Sequence, residues 1–311
     1  MEDEVAGNPM SEHKWVRRSL RRLSQMLSRR GFFVSHMTVG RLLRELNYGL
    51  KGNNKRFTGP PHPDRDRQMR YIRRVVKLFR AKGYPIISVD TKKKELVGNF
   101  YNAGRIWCRE ADQVNAHDFL QDALVRAVPY GIYDPTHNQG HVCVGLSADT
   151  SEFAVDAIRH WWLDPDRLAF PDESILLILC DAGGSNNYRF RLWKQQLQEK
   201  LADALGIPVM VCHYPTGASK WNPIEHRLFS HISVNWAGKP LRSLEIMLGY
   251  IRQTTTSTGL TVKASLLDHV YEKGVKVPQD AWDSLNFQRR SICPQWNYII
   301  FPRAVVALDQ L

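Results

Sequence analysis

The sequence predicts an α/β layered domain preceded by a small, all-α, strongly basic segment. Two observations carry this reading. The excess positive charge is confined to the first quarter of the chain, where apolar residues recur at helical spacing. From residue 84 onward short apolar runs alternate with amphipathic stretches, and the most apolar of these runs ends in an acid.

The net charge is +12 over 311 residues. Residues 11–82 hold 20 Lys or Arg against 4 Asp or Glu, whereas residues 83–311 hold 23 against 24. A basic arm on a near-neutral body is the electrostatic footprint of a polyanion-binding module. Within 12–30, Val16, Leu20, Leu23 and Leu27 form one helical stripe, with Arg17, Arg18, Arg21 and Arg22 around it, and Gly31 ends the helix. Ser35 is placed to cap a second helix carrying Val39, Leu42, Leu43 and Leu46. Two such helices suit a helix-turn-helix, with His36, Thr38, Arg41 and Arg44 of the second as contacts in the major groove of DNA. Any small helical hairpin shares this pattern, and the charge decides between them. Residues 51–67 read as a polar linker, and a basic helix follows from about Asp66 to Ala81.

In the remainder, residues 84–90, 95–101, 141–147, 174–181 and 207–213 read as strands. Helices are expected at 151–163 and 188–205 and from Asn222 onward. Asp90 and Asp181 end two strands, and Glu225 lies in the first turn of the last of these helices. They are 91 and 44 residues apart, so only the fold can bring them together. Oxygen-only carboxylate ligation suits Mg²⁺, and a pair of such ions suits phosphoryl transfer. The bland readings stand beside this. The Ala182-Gly183-Gly184 turn after Asp181 has a purely geometric use. Asn222, Pro223 and Glu225 together match a capping box, in which the glutamate only closes its own helix.

Near these acids, Lys92 and Lys93 are candidates for holding a DNA backbone, with a charged hairpin edge as the alternative. Lys220 and Trp221 offer charge and stacking, and His226 a phosphate contact, with packing roles as the alternative for Trp221 and His226. Five scattered cysteines argue against a disulfide framework and against a cysteine zinc site. His137 and His141, four apart, bracket a loop and are not expected to ligate zinc. No run of about eighteen apolar residues and no signal pattern is present, which argues against a transmembrane helix and against export and points to the cytoplasm.

At this point the sequence becomes recognisable. HPDRDRQMRYI (62–72), VDTKKKELVGNF (89–100), DTSEFAVDAIRHWW (149–162), CDAGGSNNYRFRLWK (180–194), CHYPTGASKWNPIEHRLFSHISVNWAGKPL (212–241) and PQWNYIIFP (294–302) resemble the Rhodopirellula-type DDE transposase family of bacterial insertion sequences. Two departures stand out: PTGASKWNP before the third acid, and an alanine after Asp181. The resemblance implies an RNase H-like core, a mixed sheet flanked by helices, with Asp90, Asp181 and Glu225 as the catalytic and metal-binding triad. It implies two Mg²⁺ ions, with Mn²⁺ as a substitute, acting on element ends and target DNA in a homodimeric or larger synaptic complex. The expected organisation is a helix-turn-helix-like segment (1–50), a linker and basic helix (51–82), the catalytic core (83–240) and a C-terminal helical or extended extension (241–311). The family's members are expected to carry a further DNA-binding helical segment ahead of the one seen here. That makes a truncated, non-catalytic DNA-binding repressor the alternative.

Overall fold

The computed structural model describes residues 5–7, 14–16, 18–50, 62–167 and 169–303. The chain divides into two compact units, residues 1–58 and 59–311. Most of the expected linker, residues 51–61, lies outside the described residues.

In the first unit, β1 (Val5–Gly7) pairs antiparallel with β2 (Lys14–Val16). The helix expected from residue 12 begins only after β2, as α1 (Leu20–Arg29). Ser19 sets that start, because its side chain accepts the Arg22 N–H and satisfies an otherwise orphaned donor. Gly31, at φ 89°, closes the helix, and Phe32 N–H returns to the Leu27 carbonyl at 2.9 Å. Ser35 caps α2 (His36–Glu45) through Thr38 N–H at 3.1 Å. Gly40 lets the helices approach closely, since a Cβ there would stand 3.1 Å from Leu20 Cδ1. Of the expected α2 stripe only Val39 is fully buried, while Leu42 and Leu46 are 39% and 66% exposed. Two ten-residue helices bury fully only Leu23 and Val39 of their stripes, and Leu20, Leu27 and Leu43 stay half-buried.

The second unit is built on one nine-stranded mixed sheet. In chain order its elements are α3 (Arg65–Ala81), β3 (Ile86–Thr91), β4 (Glu95–Val97), β5 (Val125–Asp134), β6 (Gln139–Gly145), α4 (Ser151–Trp162), β7 (Leu176–Cys180) and α5 (Arg191–Leu197). They continue with β8 (Val209–His213), α6 (Ser230–Asn235), α7 (Leu244–Arg252), β9 (Thr261–Leu267), α8 (Gln279–Asp283), β10 (Phe287–Arg289) and β11 (Asn297–Ile300). The strand order is β10-β11-β8-β7-β3-β5-β6-β9, with β4 pairing on β5. β3, β7 and β8 run parallel, while β5 is antiparallel to β3 and β6 to β5. A meander of β3, β5 and β6 followed by two parallel strands on the far side of β3 is the arrangement expected of an RNase H-like core.

Strand alternation divides the apolar side chains between two faces. Ile87, Val89, Ile178 and Cys180 point to α4 and α5. Ile86, Leu177 and Leu179 point the other way, to Ile72, Val75 and Phe79 of α3. Val142 and Val144 pack with Leu228, Ile232 and Met247 around α6 and α7. Among the described residues no helix is long and apolar enough to cross a membrane.

The sheet extends further than the sequence suggests. β5 was not expected, because Pro129 and Gly131 break its apolar run, yet every residue from Ala127 to Tyr133 is buried. The C-terminal segment is no extension. β9 adds to β6 at one edge, and β11 adds to β8 near the other. Gln68 of α3 fastens that second edge, being fully buried and bonded through Nε2 to the His213 carbonyl (2.9 Å) and to Asn297 Oδ1 (2.8 Å). Replacing Gln68 with Leu keeps the volume but strands these acceptors. Urea unfolding is expected to show a loss of about 2 kcal/mol with an unchanged m-value.

Candidate active site

Register alone places the first two acids side by side. Val89 on β3 is the Cα partner of Cys180 on the parallel β7, so the next residue of each strand, Asp90 and Asp181, emerges at the same sheet edge. Glu225 arrives on a helix opening at Pro223, which passes through a π-helical turn at Glu225–Phe229 before continuing as α6. Such wider turns recur at functional sites, where they re-aim side chains.

Two glycines make the bed for this helix. Gly131 is the Cα partner of Asp90, and a Cβ there would lie 2.5 Å from Phe229 Cε1 and 2.8 Å from Ile224 Cδ1. A Cβ on Gly140 would lie 2.5 Å from Leu228 Cδ1. Asn222 and Ser88 supply the lock. Ser88 Oγ donates to Asn222 Oδ1 and accepts the Ile224 N–H at 3.1 Å. Asn222 Nδ2 donates to the Val89 carbonyl (3.2 Å) and to Asp181 Oδ1 (3.4 Å). The capping-box reading therefore fails. The Asn222 side chain is spent on β3 and β7, and its N–H bonds the Ser219 carbonyl. The hydroxyl that caps the helix comes from Ser88.

The electrostatics follow from this convergence. Burial, then the charge of Asp181, pushes Asp90 up to about 8, with Glu225 and Asp149 adding to the rise and the Thr91 N–H (2.8 Å) opposing it. Burial and then Glu225 raise Asp181 to about 6, opposed by Asn222. Among the described residues no Lys, Arg or His forms an ion pair with Asp90, Asp181 or Glu225. Partly buried oxygen donors brought near one another without a cationic partner fit a hard divalent ion such as Mg²⁺, and no His or Cys competes within the set.

A supporting layer was not visible in the sequence. Asp149 is held by Thr91 Oγ1 at 3.1 Å and lies 3.9 Å from Lys94 Nζ. Behind Asp181, Trp193 Nε1–H donates to Tyr298 Oη (2.8 Å), whose proton then goes to His213 Nε2 (3.0 Å). That leaves His213 Nδ1–H to bond the Asp181 carbonyl at 2.9 Å. Burial holds His213 down at about 3, so the ring is neutral, as this relay needs.

The remaining candidates divide. Trp221 is 49% exposed, with Lys220 Nζ 5.5 Å from its ring centroid, and His226 Nε2 meets the Lys220 carbonyl at 2.5 Å. These three form an exposed cluster on the segment that carries Glu225. Lys93 is exposed. Lys92 is turned inward instead, 8% exposed, bonded to Glu95 at 2.6 Å and 4.5 Å from the Trp236 ring centroid, so it serves the fold. His36, Arg41 and Arg44 are exposed on α2 in the first unit, with Arg41 paired to Glu45. His137 lies in the β5–β6 hairpin, bound to Asp134.

With this geometry in view, the comparison with known families is decisive. The Rhodopirellula transposase DDE domain matches residues 1–302. The chain belongs to that transposase family. No curated protein matches it. Among solved structures, a Mos1 transposase paired-end complex with left transposon end is similar at TM-score 0.41 and 13% identity, over 74% of this chain and 64% of that one. The Mos1 strand transfer complex is similar at TM-score 0.42 and 15% identity, over 76% and 65% respectively. The chain thus spans less than two thirds of the length of those chains.

Two predictions follow from the geometry. In metal-free protein the raised carboxyl of Asp90 binds its proton more tightly folded than unfolded, so its contribution to stability is full below about pH 4 and lost as pH rises through about 8. Asp90→Asn is therefore expected to melt higher than wild type at pH 8 and to show a flatter pH profile by calorimetry. Gly131→Ala is expected to leave the far-UV CD spectrum intact while displacing Phe229 and the Glu225 helix, weakening divalent-ion binding by at least about tenfold in calorimetric titration.

Proposed function

We propose that this transposase cuts the ends of its own element and joins them to target DNA, with Asp90, Asp181 and Glu225 holding two Mg²⁺ ions that Mn²⁺ can replace. The approach of three partly buried acids from β3, β7 and the π-turned helix at one end of the sheet carries the reading. When bound, the ions would supply Lewis-acid polarisation and charge neutralisation at the phosphoryl group.

The protein's own contribution is positioning. Asn222, Ser88 and the Thr91 N–H hold the carboxylates of β3 and β7 in place before substrate arrives. Lys93, Lys220, Trp221 and His226 would grip the DNA strand by charge and stacking. In the first step water attacks phosphorus and the P–O3′ bond breaks, leaving a 3′-hydroxyl and a 5′-phosphate. In the second, that hydroxyl attacks a target phosphodiester, one P–O3′ bond forms as another breaks, and a target 3′-hydroxyl is released. Holding both reactants in line converts each step into an effectively unimolecular one. His36, Arg41 and Arg44 of α2 would enter the major groove of the element ends, and two copies would pair those ends in a synaptic complex.

Asp181→Asn should abolish Mg²⁺-dependent nicking of element-end DNA while leaving the gel shift nearly intact. Full nicking by that variant overturns the triad. A wild-type gel shift with no product under Mg²⁺ or Mn²⁺ identifies a DNA-binding protein without catalysis.

A further inference from the structure

A second cluster of chemistry-bearing side chains lies on the opposite face of the sheet and takes no part in the proposed reaction. On β6, Gly140 and Val142 face the Glu225 helix and its core, so His141 and Cys143 face α4. His160, near the end of α4, comes over the same strand, its ring centroid 5.4 Å from that of His141. One ligand atom from each of His141, Cys143 and His160 lies within 4.8 Å of the other two.

The two imidazoles share a partner, while the Cys143 thiol faces the Ala157 carbonyl at 3.9 Å. Nε2 of His141 and Nε2 of His160 both approach Ser265 Oγ, at 3.3 and 3.1 Å. Ser265, on β9, is the Cα partner of Cys143. Asp164 Oδ2 stands 3.7 Å from Nδ1 of His141, which favours the proton there and leaves the Nε2 lone pair facing the cluster. Asp164 itself is held by Lys263 at 2.8 Å, so it acts from behind the ring and not as a ligand. A cleft of about 790 Å³, lined by His141, His160, Asp164, Lys263 and Ser265, provides a path for entry.

We propose that His141, Cys143 and His160 bind one Zn²⁺ ion, with a water from the cleft in the fourth position. Two imidazole nitrogens and one thiolate suit Zn²⁺, whereas Mg²⁺ takes oxygen. On binding, the Cys143 Sγ–H proton leaves to solvent and the two Nε2 atoms exchange their Ser265 contacts for the ion. Bond lengths of about 2.0–2.3 Å require the ligand atoms to draw together slightly. His160, exposed on its helix, has the freedom to do so. The ion would pin α4 to β6 beside β9. The wide spacing of the cysteines argues against zinc only along the chain, because it does not register a His-x-Cys strand meeting a helix.

The test uses the chelator-stripped full chain titrated with Zn²⁺ against a chromophoric chelator, in excess Mg²⁺. One equivalent is expected to bind in wild type and equally in Asp181→Asn. In His160→Gln the affinity is expected to fall at least about tenfold. His160 is exposed, so that variant should keep its fold, as checked by CD. Co²⁺ loading is expected to give a thiolate-to-metal charge-transfer band that disappears in Cys143→Ser. The proposal is overturned if no stoichiometric Zn²⁺ binds, if binding is unchanged in both His160→Gln and Cys143→Ser, or if Asp181→Asn alone abolishes it.

Discussion

The site in the second unit rests on an unfavourable approach, three partly buried carboxyl groups brought near one another at one end of the sheet. Left to themselves, like charges would move apart, and after burial, the larger cause, they raise the carboxyls of Asp90 and Asp181. The fold prevents it by assigning each acid to an element that cannot retreat. β3 and β7 are locked together by their parallel ladder, with apolar side chains packed on both faces. The Glu225 helix is seated where Gly131 and Gly140 leave no side chain in its way. Asn222 then ties helix, β3 and Asp181 with one amide, so the acids are positioned by groups that bear no charge themselves.

Much of this was legible in the sequence. Apolar runs ending in Asp90 and Asp181 predicted two of the strands, and the basic first quarter predicted helices ahead of the sheet. What stayed hidden was any role that depends on pairing. Gly131 reads as a strand breaker until it is seen opposite Asp90 with Phe229 above it. Asn222 has the spacing of a helix cap, and only the contact with Ser88, 134 residues away, shows that its side chain is used elsewhere. Lys92 and Lys93 are neighbours of the same type, yet β4 brings Glu95 to one of them and leaves the other in solvent. Local patterns report burial and secondary structure, whereas these roles belong to partners far along the chain.

The C-terminal strands illustrate the same point on a larger scale. β10 and β11 are short, and although β9 alternates polar with apolar residues from Thr261 to Leu266, the region resembles a tail. Through Tyr298 of β11, however, it reaches the site. The relay from Trp193 through Tyr298 and His213 ends on the backbone of Asp181, and each bond in it fixes the direction of the next. The hydroxyl of Tyr298 accepts from an indole that can only donate, so it must give its proton to His213, and His213 must present Nδ1–H to the Asp181 carbonyl. A neutral, wholly buried histidine thus becomes a positioning residue, because desolvation denies it the charge that would break the sequence of donors. The acid at the end of β7 is held from behind by the last described strand, so the sheet edge that looks like an appendage is part of the site's support.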